Sequence, residues 1–157
     1  MTDVHLRPIT LANYRECIAL QLDPTQVGFV ASNAHSLAEA KVNSTLTPLA
    51  IYAAAACGHD DPPVPMRGFA MYEIAADVGF IMRLMIDRAH QGQGYGRAAT
   101  IEIIRRLRLS PDVEVIATGH HHENVGAGRL YRSLGFLLWE PTWATPDSHD
   151  VYLTLPD

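Results

Sequence analysis

Residues 80–97 read Phe80-Ile-Met-Arg-Leu-Met-Ile-Asp-Arg-Ala-His-Gln-Gly-Gln-Gly-Tyr-Gly-Arg97, and this stretch decides the fold. An apolar segment typical of a β-strand leads into a loop with glycine at positions 92, 94 and 96, and a helix-like segment follows directly. Glycine lets the backbone turn tightly and approach a ligand closely. A helix N-terminus presents unpaired N–H groups at the positive end of its dipole. The pattern therefore predicts a cradle for an anion, most often a phosphate.

The spacing of these glycines argues against two common phosphate-binding loops. A dinucleotide-binding fold places G-x-G-x-x-G after its first strand, with an acidic residue about 20 positions further on. This chain has G-x-G-x-G past the middle of the sequence. A Walker loop needs Gly-Lys followed by Ser or Thr, and the loop lacks that sequence. On the glycines alone, a tight turn without a ligand stays an alternative.

The composition is typical of one compact domain, which we expect to span residues 1–157. The chain is 48% hydrophobic, enough to build a full core. A formal net charge of −5 argues against a general nucleic-acid binder, which needs a basic face. We find no signal-peptide core and no apolar run of the roughly 18 residues that span a bilayer. Cys17 and Cys57 show no spacing typical of a disulfide framework or a metal site, so we expect a cytoplasmic protein without membrane or nucleic-acid partners.

Hydrophobic periodicity and turn signals predict an α/β chain with the element order β-α-α-β-β-β-α-β-α-β-β. The predicted helices are residues 11–22 with Thr10 as N-cap, 26–43, 97–109, and 123–134 with Gly135 following the C-terminus. The predicted strands are residues 4–9, 49–56, 67–74, 78–87, 113–118, 136–140 and 151–155. A tight connection at 75–77 predicts that strands 67–74 and 78–87 pair antiparallel, and residues 58–65 form a dense turn signal.

Three segments together carry a family resemblance. The loop Gln91-Gly-Gln-Gly-Tyr-Gly96 resembles the Q/R-x-x-G-x-G/A signature of the GNAT N-acetyltransferase superfamily. Upstream, Leu84-Met-Ile-Asp87 is similar to the bulged fourth strand of that family. Downstream, Asn124-Val-Gly-Ala-Gly-Arg-Leu-Tyr-Arg-Ser-Leu-Gly-Phe136 is similar to its N-x-x-A-x-x-L/F-Y-x-x-x-G-F element. The resemblance implies the GNAT fold, a mixed central sheet of about six to seven strands flanked by helices.

The same resemblance implies acetyl-CoA as co-substrate. Backbone amides of the glycine loop would bind the pyrophosphate, and the bulged strand would pair with the pantetheine arm. Asn124 would anchor the coenzyme arm or cap its helix, two roles that do not exclude each other. The residues assigned to the coenzyme in this way are Leu84, Met85, Ile86, Gln91, Gly92, Gln93, Gly94, Tyr95, Gly96, Arg97, Asn124 and Tyr131.

The implied reaction is acetyl transfer from the thioester to a primary amine by direct attack. The resemblance casts Tyr131 as the general acid beside the coenzyme sulfur, and an ordinary tyrosine stays protonated at neutral pH, as a proton donor must. A backbone N–H near residues 84–86 would polarise the thioester carbonyl. The alternative for Tyr131 is a core tyrosine that packs under its helix.

The general base is left open by the sequence. Some polyamine-acetylating members of the family carry a glutamate on the fourth strand, where this chain has Met82 followed by Arg83. Glu73 is the first substitute and could also hold a cationic substrate, although it could equally be an ordinary strand residue. His120 is the second, since imidazole suits proton relay near pH 7. Water-mediated removal of the proton is a third.

The run His120-His-His-Glu123 invites a metal interpretation. Neighbouring residues in an extended chain point to alternating sides, and no i, i+4 histidine pair supports chelation. We therefore expect no metal, and the run is either a solvated loop or part of the acceptor site.

A narrower resemblance concerns the acceptor. Gly68-Phe-Ala-Met-Tyr72, Arg83-Leu-Met-Ile-Asp87 and the glycine loop are together similar to bacterial spermine/spermidine acetyltransferases. That similarity implies a polyamine such as spermidine or spermine as the small-molecule substrate, and a homodimer. The alternatives are another small amine (an aminoglycoside, an amino acid or a peptide N-terminus), or a non-catalytic acyl-CoA-binding regulatory protein. Candidates for the acceptor pocket are Phe29, Asn33 and Glu39, and Trp139 and Trp143 are expected to be wall or interface residues.

Overall fold

The computed structural model describes residues 2–54, 65–145 and 148–157. Within these residues, seven strands form one sheet flanked by four α-helices, in the predicted element order. The strands are β1 Val4–Pro8, β2 Leu46–Ala53, β3 Gly68–Ala75, β4 Val78–Ile86, β5 Val115–His121, β6 Leu137–Leu138 and β7 Asp150–Leu155. The helices are α1 Tyr14–Ala19, α2 Asn33–Val42, α3 Tyr95–Leu109 and α4 Val125–Ser133. The predicted fold class is confirmed.

The sheet is antiparallel except at one place, and that place positions the site. The strand order is β1-β2-β3-β4-β5-β7-β6, and β4 and β5 run parallel. Their pairing begins at Val78–Val115 and ends at Ile81–Thr118. Beyond it, β4 continues to Ile86 along β3 while β5 continues along β7. The carboxyl halves of β4 and β5 therefore separate and leave an opening in the sheet.

A β-bulge lies where this separation begins. Met71 pairs with Arg83, but the next residue, Tyr72, pairs with Ile81, so Met82 is an extra residue on β4. A bulge bends the strand that carries it and increases the local twist. The resemblance predicted a bulged fourth strand, and the bulge lies at Met82, two residues before the segment 84–87 that carried the resemblance.

Each face of the sheet is covered by one pair of helices, with a core cluster under each pair. The α3 and α4 side contains Ile103, Leu107, Tyr131 and Phe136, all at most 3% exposed. The α1 and α2 side contains Cys17, Leu46, Ala50, Tyr52, Met66, Phe69, Met71 and Met85. The sheet thus separates two helical layers, each with its own core cluster.

The N-terminal helices are shorter than their sequence pattern predicts. Instead of residues 11–22 capped by Thr10, α1 begins after Asn13 and ends at Ala19, because Leu20 is already extended. Instead of residues 26–43, a 3₁₀ turn spans Pro24–Gln26 and α2 begins only at Asn33. Gly28 lies between them with φ +100°, a left-handed conformation that cannot continue a right-handed helix.

The remaining boundaries shift by a few residues. The helix predicted at 97–109 begins at Tyr95, and the one predicted at 123–134 covers Val125–Ser133, with Gly135 following at φ +100° as predicted. The fifth strand extends to His121 instead of ending at residue 118, because β7 continues to pair with it. The second strand ends at Ala53, and the sixth covers only residues 137–138. Cys57 and most of the predicted turn 58–65 lie outside the described residues.

Among the helices that the structure describes, none is long and apolar enough to cross a membrane.

Candidate active site

The glycine loop forms a backbone cradle at the N-terminus of α3. Gly92 and Gly94 have φ of +75° and +90°, and Gly94 is the left-handed N-cap residue of the helix. The N–H of Ala98 donates to the Gly94 carbonyl at 3.0 Å. The N–H groups of residues 95–97 precede that bond, so they have no carbonyl in a preceding turn and lie at the positive end of the helix dipole. This arrangement can bind an anion.

Side-chain hydrogen bonds fix the loop from two sides. Gln91 donates through Nε2 to Gln26 Oε1 at 2.8 Å and to the Ile86 carbonyl at 3.0 Å. The Thr2 hydroxyl donates to the Gln93 carbonyl at 2.7 Å. The cradle is therefore tied to the end of β4, to the 3₁₀ turn and to the N-terminal segment.

A groove of about 290 Å³ runs along this loop, and we call it the glycine groove. Of the residues assigned to the coenzyme from sequence, it brings together Leu84, Met85, Ile86, Gln91, Gly92, Gly94, Tyr95, Gly96 and Asn124. Gln93, Arg97 and Tyr131 do not line it. The Arg97 guanidinium instead donates to Ser133 Oγ at 2.8 Å, which links α3 to α4.

A second cavity, of about 590 Å³, occupies the opening between β4 and β5, and we call it the aromatic cavity. Its lining consists of Phe29, Val30, Ala31, Glu73, Ala75, Ala76, Val78, Phe80, Met82, Arg83, Leu84, Gly119, His120, His121, Asn124, Ala127, Tyr131, Trp139, Trp143, Asp150 and Tyr152. Five residues line both spaces, namely Phe29, Val30, Leu84, Asn124 and Ala127. The groove and the cavity therefore meet at this shared wall.

Asn124 and Tyr131 lie on the face of α4 that borders the cavity. Asn124 is the N-cap of α4, as predicted, and its Oδ1 accepts from the Ala127 N–H at 3.2 Å. Tyr131 follows two turns later and is only 3% exposed. Its ring lies 5.5 Å from that of Phe136. Burial raises the pKa of the Tyr131 phenol to about 12, and a hydrogen bond with Thr118 opposes this in part. The phenol therefore keeps its proton throughout the neutral range.

His120 lies beside Tyr131. Their rings are 6.5 Å apart between centroids and nearly parallel, at 27°. His120 Nδ1 lies 2.8 Å from the His121 carbonyl, and a carbonyl can only accept, so Nδ1 carries the hydrogen in neutral imidazole. Nε2 then holds a lone pair, and this atom is buried without a hydrogen-bond partner among the described residues. It lies against Gly128, where a Cβ would be only 3.1 Å away.

Glu73, the other candidate base, lies on β3 and is separated from β5 by β4. It is half-buried and lines the aromatic cavity. Its Oε2 lies 2.8 Å from the Thr45 hydroxyl. The structure thus brings Glu73, His120 and Tyr131 to one cavity, but it places only His120 against Tyr131.

Arg83 enters the same cavity from β4 and forms an ion pair with α2. Its Nη2 lies 3.2 Å from Glu39 Oε1, and its side chain is 17% exposed. Glu39, a candidate for the acceptor pocket, thus acts as the partner of Arg83. Phe29 lines the cavity as expected, but Asn33 does not, because it is buried and donates to the Cys17 carbonyl at 2.9 Å.

Sequence reasoning missed Phe80, Asp150 and Tyr152 as cavity residues. They lie on strands that were predicted, but nothing local distinguishes a side chain over the opening from one in the core. The alternation along β7, with Asp150 and Tyr152 on one face, was the only available signal.

Three further histidines, His121, His122 and His149, form a stack at the edge of the cavity. The ring of His121 is 4.6 Å from that of His122 and 5.6 Å from Phe29. His149 lies 6.1 Å from His121. Among the described residues, no group of three or more His, Cys, Asp or Glu side chains is placed to hold a metal ion.

Comparison with known proteins agrees with this geometry. The model of the acetyltransferase (GNAT) family matches residues 10–136. A mycothiol acetyltransferase from Nocardiopsis dassonvillei is 40% identical over 65 residues, which are 40% of this chain. The matched part is only 19% of the length of that relative.

Solved structures share the fold at low sequence identity. A domain from Methanocaldococcus jannaschii superposes with a TM-score of 0.75 at 13% identity, covering 99% of both chains. The ribosomal-protein-S18-alanine N-acetyltransferase of Escherichia coli has a TM-score of 0.65 at 17% identity, over 98% of this chain and 93% of that one. A spermidine N-acetyltransferase from Vibrio cholerae has a TM-score of 0.65 at 16% identity, over 97% and 93%. The family match covers most of the chain, and the chain belongs to the GNAT family of acetyltransferases.

Proposed function

We propose that this chain is an N-acetyltransferase that moves an acetyl group from acetyl-CoA to a primary amine. The observation that carries the proposal is the shared wall between the glycine groove and the aromatic cavity. One space suits a phosphate-bearing ligand and the other a small organic molecule, and Tyr131 and His120 lie in the cavity near their junction. A group transfer requires two ligands to meet, with side chains beside them that can donate and accept protons.

The residues of the glycine groove fit acetyl-CoA. The N–H groups of residues 92–97 would hold the pyrophosphate, since two left-handed glycines and a helix N-terminus direct them to one place. The β4 segment 84–86 would hold the pantetheine arm, because its pairing with β5 has ended at Ile81 and its edge faces the groove. When bound, acetyl-CoA supplies an acetyl group activated as a thioester.

In this proposal Tyr131 is the general acid. The new bond forms between the amine nitrogen and the acetyl carbon, and the carbon–sulfur bond breaks. The nitrogen gives up one proton to become an amide, and the sulfur receives a proton to leave as a thiol. The Tyr131 hydroxyl would give that proton, and its raised pKa ensures that the proton is present at neutral pH.

We assign the general base to His120 in preference to Glu73. The amine enters as an ammonium ion and must lose a proton before it attacks. His120 Nε2 has a free lone pair and lies on the residue that contacts Tyr131. Glu73 stands on another strand with a carboxylate oxygen beside Thr45, which suits it to bind a cation.

We propose a polyamine such as spermidine or spermine as the acceptor. Two carboxylates, Glu73 and Asp150, line the aromatic cavity, and a cationic chain would pair with them. A specific observation also favours a second class, an amino acid or a peptide N-terminus. Arg83 lines the cavity, and an acceptor carboxylate could compete with Glu39 for its guanidinium.

The test is a coenzyme-thiol release assay with acetyl-CoA across spermidine, spermine, diamines, aminoglycosides and amino acids. We expect release with at least one primary amine and the matching N-acetylated product by mass spectrometry. If acetyl-CoA binds but no amine in the panel gives thiol release, the enzyme assignment is wrong and a regulatory acyl-CoA-binding protein takes its place.

The Tyr131→Phe variant separates catalysis from coenzyme binding. We expect kcat to fall by about 10²-fold or more, because the proton donor is gone. The Kd for acetyl-CoA, measured by calorimetry, should change by less than about twofold, since Tyr131 does not line the glycine groove. Tyr14→Phe on α1 is the matched control, and it should retain wild-type kcat.

A further inference from the structure

Three aromatic rings form one continuous wall in the aromatic cavity. Phe80 of β4 lies 6.4 Å from Trp143 and 6.2 Å from Tyr152, and Trp143 lies 4.7 Å from Tyr152. The Trp143 ring meets those of Phe80 and Tyr152 edge to face, at 68° and 73°, and the Phe80 and Tyr152 rings are tilted by 53°. We call Phe80, Trp143 and Tyr152 the aromatic wall.

The wall is accessible at one end and fixed at the other. Trp143 is 57% exposed, which is unusual for the largest apolar side chain in a folded protein. Trp139 packs behind it at 6.1 Å and 84°. The position of Tyr152 is fixed by Gly119 of β5, where a Cβ would come within 2.9 Å of the tyrosine ring. The wall is therefore a built surface of the cavity.

A carboxylate stands at each side of the aromatic wall. Glu73 is the cross-strand partner of Phe80 in the β3–β4 pair. Asp150 lies two residues before Tyr152 on β7, and residues two apart point to the same face of a strand. Both carboxylates line the cavity. The cation in the lining, Arg83, is already paired with Glu39 on the α2 side.

We infer that the aromatic wall, with Glu73 and Asp150, binds a second positively charged nitrogen of the acceptor, which is therefore a diamine or longer polyamine. The inference rests on the proposed function and assigns the residues that would select its substrate. Ring faces attract an ammonium ion and also cover the methylene groups next to it. The two carboxylates supply the opposite charge, and the reacting amine is left to reach His120 and Tyr131.

The test compares three acceptors of equal chain length, namely 1,4-diaminobutane, n-butylamine and 4-aminobutyrate. They share a primary amine on four carbon atoms and differ at the far end, which is an ammonium group, a methyl group or a carboxylate. We expect kcat/KM for the diamine to exceed that for n-butylamine by about tenfold, the size of one favourable cation–π contact with a carboxylate nearby. The aminocarboxylate should be the poorest, because its negative end would face Glu73 and Asp150.

Two variants locate the effect. Trp143→Leu and the near-isosteric Asp150→Asn should each raise KM for 1,4-diaminobutane about three- to tenfold. For n-butylamine, which has no second charge, each variant should lower kcat/KM less than it does for the diamine. Val42→Ala at the exposed end of α2 is the control and should leave both acceptors unchanged. Calorimetric titration of 1,4-diaminobutane into wild type and the two variants gives the same comparison without turnover.

The outcomes separate this inference from the proposed function. If kcat/KM for n-butylamine equals that for the diamine, the inference fails and the proposed function stands. The same holds if the two variants bind the diamine with the affinity of the wild type. If 4-aminobutyrate is the best of the three, Arg83 selects the acceptor and the inference is also wrong. If no amine gives thiol release and calorimetry detects no binding of the diamine, both the inference and the proposed function are wrong.

Discussion

At the residue scale, one backbone carbonyl decides what His120 can do. The His121 carbonyl lies 2.8 Å from Nδ1 and can only accept, so the hydrogen of neutral imidazole belongs on Nδ1. The lone pair then belongs to Nε2, which is buried against Gly128 and has no hydrogen-bond partner among the described residues. The hydrogen bond that fixes the tautomer of His120 is made to the next residue in the chain, and it is the tertiary structure that sets its ring against that of Tyr131.

The first prediction concerns this nitrogen. His120→Gln should lower kcat by about 10²-fold, because glutamine cannot accept the proton. His122→Gln is the control, since His122 is exposed and lines neither cavity. Steady-state thiol release at neutral pH measures both variants. If kcat of the His120→Gln variant is within threefold of the wild-type value, another group is the general base.

Cys17 gives a second prediction at this scale. The thiol is 0% exposed, and burial together with the charge of Glu16 raises its pKa to about 12. A thiolate is the reactive form, so Cys17 should be inert at pH 8 in the folded protein. In a Cys57→Ser background, Ellman's reagent should label no thiol until urea unfolds the chain, and one thiol afterwards. Labelling within minutes in the folded state would contradict the burial of Cys17.

At the element scale, the turn from β4 into α3 was the most predictable part of the chain. Its glycine positions restrict the backbone locally, and the structure has two of them, Gly92 and Gly94, at positive φ. Helix α2 was less predictable, because its apolar spacing continues upstream through Gly28. A periodic pattern does not show that one glycine inside it has left the right-handed region.

A third prediction compares two glycines that share the same backbone constraint. Gly92→Ala and Gly28→Ala each place a Cβ in open space at positive φ. Both should lower the free energy of unfolding by about 1–2 kcal/mol, the cost of a left-handed L-residue. Only Gly92→Ala should also weaken acetyl-CoA binding, because Gly28 does not line the glycine groove. Urea unfolding and calorimetric titration measure the two effects, and equal acetyl-CoA affinities would remove Gly92 from the coenzyme site.

At the scale of the whole molecule, two buried acids couple stability to alkaline pH. The pKa values of Tyr131 and Cys17 are raised by burial to about 12, from ordinary values of 10.0 and 9.0. Above pH 9 the unfolded chain therefore loses protons that the folded chain keeps, and the free energy of unfolding falls. This stabilisation is complete below about pH 9 and is lost as pH rises towards 12.

The fourth prediction follows from this loss of stability with rising pH. Between pH 10 and 11.5, the free energy of unfolding should fall by up to about 1.4 kcal/mol per pH unit for each group. Tyr131→Phe and Cys17→Ala should each make the slope shallower, and the double variant should be shallowest, whatever their stability at pH 7. Urea titrations at several pH values measure the slopes. A wild-type slope in both variants would show that neither group keeps its proton in the folded state.

The sequence by itself determined the order of the elements, the glycine cradle and the cap at Asn124, because each depends on residues close together in the chain. Only the tertiary structure decided the aromatic cavity, which combines Phe80, Trp143, Tyr152 and His120 from separate segments. Their meeting depends on the parallel β4–β5 pairing, on its end at Ile81 and on the bulge at Met82. Strand register and crossover are properties of the assembled sheet, so no local pattern contains them.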